Sequence, residues 1–102
     1  MLNDENKKLC TEVFEKYGSY HQLLKLGEEC TELAQAIFRV AQDGTNEKTI
    51  RNLLEEFIDV YVMQEQLIRY FLRQRNYITV TQFNELTKFK LKRALEEKDE
   101  ID

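Results

Sequence analysis

Apolar side chains recur at helical spacing through most of this chain. After Ser19 they fall three or four positions apart, at Leu23, Leu26, Cys30, Leu33, Ile37 and Val40. This spacing is the period of one face of an α-helix. The sequence has no Pro and only 3 Gly, so few positions interrupt a helix. The pattern therefore predicts an all-α protein.

Turn and capping residues divide the chain into four predicted helices. Gly18 favours the end of the first helix, and Ser19 with Gln22 is typical of a capping box that starts the second. In order, the helices run from about Asp4 to Tyr17, from after Ser19 to about Asp43-Gly44, from about Asn46 to Arg75, and from Thr79 or Thr81 to about Lys98. The short connections favour antiparallel neighbours. We therefore expect one domain, residues 1–102, folded as a four-helix bundle subunit, with a frayed charged tail over about 96–102.

The predicted third helix is apolar around much of its circumference. One stripe contains Leu53, Phe57, Val60, Leu67 and Phe71. A neighbouring line contains Leu54, Ile58, Tyr61, Ile68 and Leu72. A helix with so wide an apolar surface must be covered on more than one side. This long central helix therefore predicts a homo-oligomer, a homodimer or a tetramer.

Charge and composition restrict the possible partners and compartment. The net charge is −4, which disfavours a general nucleic-acid binder, since these usually carry a basic excess. Cys10 and Cys30 lack metal-ligand spacing and are expected to be free thiols in a reducing compartment. No long apolar run or leader-like segment is present. We expect a cytoplasmic protein without membrane or nucleic-acid partners.

Two acidic pairs are the strongest candidates for chemistry. Glu29 and Glu32 lie three positions apart on the second helix, and Glu56 and Asp59 lie three apart on the third. A helical wheel places Glu29 about 70° and Glu56 about 90° from the centres of their apolar stripes. Antiparallel packing would bring the pairs together, and Mg²⁺ would relieve their repulsion. The spacing alone also fits solvated surface acids, so both interpretations stay open at this point.

A family resemblance favours the metal interpretation. The run from Lys25 to Ala34 (KLGEECTELA), followed by the run from Glu56 to Val60 (EFIDV), resembles the all-α nucleoside triphosphate pyrophosphohydrolases. That superfamily includes MazG, the dimeric dUTPases and MazG-like proteins of phages and bacteria. Its signature is Glu-Glu-x-x-Glu, a variable gap, then Glu-x-x-Asp. The resemblance covers the second and third helices well and the last helix loosely.

The resemblance implies a reaction and a role for each acid. A nucleoside triphosphate, ribo or deoxyribo, would be hydrolysed to the monophosphate and pyrophosphate. Mg²⁺, for which Mn²⁺ can substitute, would be held by the two acidic pairs already described. Glu28 would be a catalytic auxiliary that orients or activates the attacking water. The base and sugar preference is left open.

Basic residues of the last helix are candidates for binding phosphates. The family carries a Lys followed by an Arg there, which corresponds to Lys90 and Arg93 in this chain. On the wheel, Lys90 continues an inward stripe set by Phe83 and Leu86. Lys25, on the same face as the first acidic pair, is a weaker candidate. Two alternatives stay open: a solvated basic run, or a register in which Lys88 and Lys92 carry the role.

Two other functions compete with hydrolysis. The chain could be a non-catalytic helical oligomer with an interaction or regulatory role, in which case the acidic pairs would lie apart. A carboxylate-bridged di-iron bundle is disfavoured, because it usually needs Glu-x-x-His pairs and His21 is the only histidine.

Overall fold

The computed structural model describes residues 1–74 and 76–97, and this part of the chain is helical without strands. Helix α1 spans Asp4–Asp43, α2 spans Glu47–Arg69, and α3 spans Val80–Glu96. A π-helical turn, Tyr70–Gln74, continues α2. The predicted all-α class is confirmed.

The predicted break at Gly18 is present, but as a kink within one helix. Gly18 has φ 82° and ψ 165°, a conformation that is strained for any residue with a Cβ atom. The predicted first and second helices are therefore the two arms of α1. The predicted capping role of Gln22 is wrong, because its side chain lies buried between α1 and α2.

Local hydrogen bonds set the starts of α2 and α3. Asn46 caps α2 by accepting from the Thr49 N–H at 3.0 Å, and the Asn46 N–H donates to the Thr49 hydroxyl at 3.1 Å. Thr79 and Gln82 form the same reciprocal box at α3, with bonds of 3.0 and 2.9 Å. Of the two starts predicted for the last helix, Thr79 is therefore the correct one.

The long predicted third helix changes its hydrogen bonding before it ends. The α-helical pattern stops at Arg69, and the turn that follows is π-helical. Beyond it, Asn76 has a positive φ of 56°, and the Tyr77 N–H donates to the Phe71 carbonyl at 3.0 Å. The predicted end at Arg75 lies outside the described residues.

Helices α1 and α2 form an antiparallel hairpin, joined by a short connection at residues 44–46. Polar residues occupy much of its buried interface. The Gln22 Nε2 donates to Gln66 Oε1 at 2.6 Å and contacts Met63 Sδ at 3.7 Å. The buried residues of the two helices are Cys10, Gln22, Glu29, Ala36, Thr49, Val60, Met63, Gln66 and Leu67.

The buried face of α1 differs from the predicted apolar stripe. Gln22, Glu29 and Ala36 are buried at seven-residue spacing, whereas Leu23 is 50% and Ile37 49% exposed. On a helical wheel the buried face is rotated by about 70° from the centre of the stripe. The hairpin therefore buries a polar edge of α1 and leaves part of its apolar stripe exposed.

The chain divides into two compact units, Met1–Tyr70 and a second that begins at Phe71. The second unit contains α3, in which none of the described residues is buried. The expected single domain and four-helix bundle remain predictions, and most of the expected frayed tail, residues 98–102, lies outside the described part. Both cysteines are free thiols, with Cys10 buried and Cys30 exposed. Among the described residues, no helix has the length and apolar character needed to cross a membrane.

Candidate metal centre

Three predicted acids converge where α1 crosses α2. One carboxylate oxygen from each of Glu29, Glu32 and Glu56 lies within 4.8 Å of the others. Glu29 and Glu32 come from successive turns of α1, and Glu56 comes from the facing turns of α2. The antiparallel hairpin therefore brings the first acidic pair against a member of the second. We call these three residues the carboxylate cluster.

The cluster includes two buried oxygens that lack hydrogen-bond partners. Glu29 is only 7% exposed, and its Oε2 is buried without a partner. Glu56 Oε2 is in the same situation. On the helical wheel, both residues were predicted at the edges of their apolar stripes. In the structure, both lie near the middle of the helix faces that are buried in the hairpin. Because a buried carboxylate oxygen without a partner is costly, a cation placed between these two oxygens would stabilise the arrangement.

Lys25 provides one positive charge at the edge of the cluster. Its Nζ lies 3.4 Å from Glu29 Oε1 and 3.5 Å from Glu28 Oε2. These two carboxylates raise the pKa of Lys25, mainly through the hydrogen bond and charge of Glu29. Lys25 therefore stays protonated at any ordinary pH. It contacts only one oxygen of Glu29 and leaves Oε2 unpaired.

The fourth predicted ligand, Asp59, lies beside Glu29 but outside the three-oxygen group. Partial desolvation raises the pKa of Asp59, although much of the residue's surface is accessible to solvent. The neighbouring charge of Glu29 raises this pKa further, and so does a hydrogen bond that protonated Asp59 donates to Glu29. Lys25 opposes the shift through its positive charge. Asp59 is therefore electrostatically coupled to the cluster.

Glu28 occupies a different environment from its neighbour Glu29. Its side chain is 68% exposed and forms an ion pair with Lys25 at 3.5 Å. Glu55 is similarly exposed and pairs with Arg51 at 3.5 Å. The structure thus separates the two acids in each Glu-Glu sequence: one faces the hairpin interface and the other faces solvent.

The donor set fits a hard divalent cation. Every group in the cluster is a carboxylate, and Mg²⁺ prefers oxygen ligands at about 2.0–2.1 Å. Ligands on opposite sides of such an ion are therefore about 4 Å apart. The three oxygens of the cluster lie within 4.8 Å of one another, so small side-chain movements would bring them to this separation. The buried unpaired oxygens of Glu29 and Glu56 would gain a partner. The residues present are consistent with the predicted metal.

The phosphate-binding residues predicted on the last helix lie in the second unit and are exposed. Arg93 Nε lies 3.2 Å from Glu97 Oε1, and both side chains are mostly exposed. Lys90 is exposed, and so are Phe83 and Leu86, and the inward position of Lys90 stays a prediction. The alternative residues, Lys88 and Lys92, are exposed as well. Exposure therefore does not distinguish the two registers.

A cleft at the connection between α1 and α2 has a volume of about 380 Å³. It is lined by Arg39, Asp43, Asn46, Lys48, Thr49 and Asn52. None of the predicted metal ligands belongs to it. The carboxylate cluster is consequently defined by its charges and burial, not by this cleft.

The sequence did not predict the buried polar pair of Gln22 and Gln66, in which Gln22 lies about two helical turns from Glu29 along α1. Gln22 and Gln66 are buried, at 2% and 4% exposure, but neither was singled out as a functional or core residue. Gln22, Glu29 and Ala36 repeat every seven residues, and this spacing was the available signal. The apolar residues of the neighbouring stripe have a stronger helical periodicity, so the sequence favoured that stripe as the buried face.

Comparison of the chain with protein-family models, curated proteins and solved structures gives no match. The acidic motif and the geometry of the carboxylate cluster are therefore the features that indicate a function for this chain.

Proposed function

We propose that this protein is a Mg²⁺-dependent nucleotide pyrophosphohydrolase that converts a nucleoside triphosphate to its monophosphate and pyrophosphate. The observation that supports it most directly is the pair of buried, unpartnered oxygens on Glu29 and Glu56 within the carboxylate cluster. Mn²⁺ is expected to substitute for Mg²⁺, because it accepts the same oxygen ligands.

The charge of the site supports a cation as its natural occupant. Four acids lie together here, the three of the cluster and Asp59, and Lys25 contacts them from the edge through Glu29. Like charges this close cannot all ionise without cost. A divalent ion removes the repulsion and also attracts the phosphates of a nucleotide.

Each residue has a proposed role. Glu29, Glu32, Glu56 and Asp59 hold the metal, which when bound would polarise a phosphoryl oxygen and lower the pKa of an attacking water. Glu28, exposed beside the cluster, orients that water or accepts its proton. Lys25, Lys90 and Arg93 bind the phosphates, and the last two belong to the second unit.

We also propose that the chain functions as a homodimer or tetramer with bundled helices. The support is the exposed apolar surface of α2, where Leu54 is 55%, Phe57 52% and Ile58 57% exposed. These residues lie on the side of α2 away from its buried face. A second copy that covers them would bury apolar surface, and this burial would stabilise the assembly by roughly 25 cal/mol per Å².

A panel of ribo- and deoxyribonucleoside triphosphates tests the proposed reaction. Each is incubated with Mg²⁺ or with EDTA, and both monophosphate and pyrophosphate are quantified. We expect stoichiometric release of the two products with at least one substrate, abolished by EDTA and restored by Mn²⁺. No pyrophosphate from any substrate would favour the alternative, a non-catalytic helical oligomer with an interaction role.

A further inference from the structure

Lys25 supplies a positive charge to the carboxylate cluster but leaves two of its buried oxygens without a hydrogen-bond partner. Its ammonium contacts Glu29 Oε1 at 3.4 Å, whereas Glu29 Oε2 and Glu56 Oε2 remain buried and unpartnered. The ammonium makes no hydrogen bond to either of these two buried oxygens. Lys25 therefore neutralises part of the charge and leaves the deeper part uncompensated.

The exposed position of Lys25 allows its ammonium to leave the cluster when a second cation takes its place. Its side chain is 47% exposed, and its second partner, Glu28, is 68% exposed. The pair with Glu28 contributes little to stability, because water and salt compete with it. The Glu29 side chain is only 10% exposed, so its carboxylate would release the ammonium when another cation replaces it. The long flexible stem of lysine can place the ammonium several ångströms away without moving the helix.

We propose that Lys25 is an exchangeable counter-ion: its ammonium releases Glu29 when a divalent cation binds, and the freed ammonium then binds the anion carried by that cation. This inference rests on the proposed metal site and gives Lys25 a second role, in setting metal affinity. Lys25 would oppose metal binding, because its charge repels the incoming ion and its partner oxygen must be released. It would favour phosphate binding for the opposite electrostatic reason.

Direct binding measurements test the exchange without relying on catalysis. Mn²⁺ affinity is measured by electron paramagnetic resonance for the wild type, Lys25→Met and Lys25→Arg. Binding of radiolabelled inorganic phosphate to the Mn²⁺-loaded proteins is measured by equilibrium dialysis. We expect Lys25→Met to bind Mn²⁺ about three- to tenfold more tightly and phosphate several-fold more weakly, since one nearby charge has been removed. Lys25→Arg should stay close to the wild type in both.

Lys48→Met is the matched control, because it removes the same charge from an exposed position on the same hairpin. Lys48 lies eight residues before Glu56, which is about 12 Å along the helix. It should leave both affinities nearly unchanged.

Opposite changes in the two affinities distinguish exchange from a structural role of Lys25. If Lys25 had a purely structural role, Lys25→Met would bind both Mn²⁺ and phosphate more weakly. Unchanged or weaker Mn²⁺ binding in Lys25→Met, with normal binding by the wild type, would overturn the exchange and leave the metal site intact. Absence of Mn²⁺ binding by the wild type would overturn both proposals.

Discussion

The Gln22 Nε2 donates a 2.6 Å hydrogen bond to Gln66 Oε1 between α1 and α2. Both side chains are almost completely buried, and Gln22 Oε1 also lies 2.9 Å from His21 Nδ1. A buried amide pair favours one register of the helices, because sliding either helix would leave polar groups unpaired. The same register places Glu29 beside Asp59 and near Glu56.

This amide pair should behave as a coupled unit in unfolding experiments. Gln22→Leu leaves the Gln66 amide buried without its partner and should lower the free energy of unfolding by about 1–3 kcal/mol. The double variant Gln22→Leu/Gln66→Leu should lose less than the sum of the two single changes. A double-mutant cycle in urea measures the coupling. Strict additivity would show that the bond does not stabilise the hairpin.

Removing a ligand carboxylate should separate activity from folding. Glu29→Gln or Asp59→Asn should lower Mg²⁺-dependent turnover by about 100-fold or more, because even groups that merely support a metal ligand contribute 10- to 100-fold. The metal-free variants should melt at or above the wild-type temperature, since a repulsive charge has been removed. Glu55→Gln is the control, as this exposed acid pairs with Arg51. Full activity in both ligand variants would contradict the site.

The stability of the metal-free protein should depend on the protonation of Asp59. Its pKa is raised above the ordinary 3.8 in the folded state, chiefly by desolvation and by the charge of Glu29. Between 3.8 and the raised value, the folded state binds more protons than the unfolded state. Stability should therefore increase as the pH falls through this window and decrease as it rises.

Thermal unfolding in EDTA at pH 4 to 7 measures this effect. Asp59→Asn should remove the part of the pH dependence of stability that Asp59 causes. Saturating Mg²⁺ should reverse the direction of this pH dependence, because the metal competes with protons for the carboxylates. An identical pH profile for the wild type and Asp59→Asn would exclude the coupling.

The apolar surface of α2 predicts how the protein assembles. We expect a dimer or tetramer by light scattering, with Leu54, Ile58 and Tyr61 or their neighbours buried between subunits. Ile58→Glu should shift the protein towards monomer, because a buried interface charge lacks a partner. Lys48→Gln changes the net charge equally at an exposed polar position and should not change the mass. A wild-type monomer of about 12.3 kDa would contradict this prediction.

Arg93 should affect turnover more than metal binding. Arg93→Ala should lower the rate by about 10²–10³ if its guanidinium holds charge that spreads over the phosphates. Arg93→Lys should restore part of the loss, because lysine lacks the planar fork. Lys90→Ala should act similarly, with a larger effect on substrate affinity.

The ion pair of Arg93 with Glu97 provides a control for this experiment. Glu97→Gln removes the partner without touching the proposed phosphate contact and should retain activity. Loss of activity in Lys88→Ala and Lys92→Ala, with normal kinetics for Lys90→Ala and Arg93→Ala, would assign phosphate binding to the alternative register.

The amino-acid sequence by itself determined the helical class, the break at Gly18, helix starts near Asn46 and at Thr79 or Thr81, and the spacing of the acidic pairs. These features depend on backbone sterics, local hydrogen bonds and spacing within one helix, and all are readable over a few residues. The antiparallel arrangement of α1 and α2 also followed, because their connection is short.

Only the tertiary structure decided which face of each helix is buried. The apolar stripe of α1 predicted a buried face centred on Leu26, Cys30 and Leu33, but the hairpin instead buries Gln22, Glu29 and Ala36. The burial of Glu29, the unpaired oxygens of the cluster and the position of Lys25 all follow from that rotation. Periodicity reports where apolar groups lie on one helix, whereas burial depends on the pairing of two helices, and here buried amides contribute to that pairing.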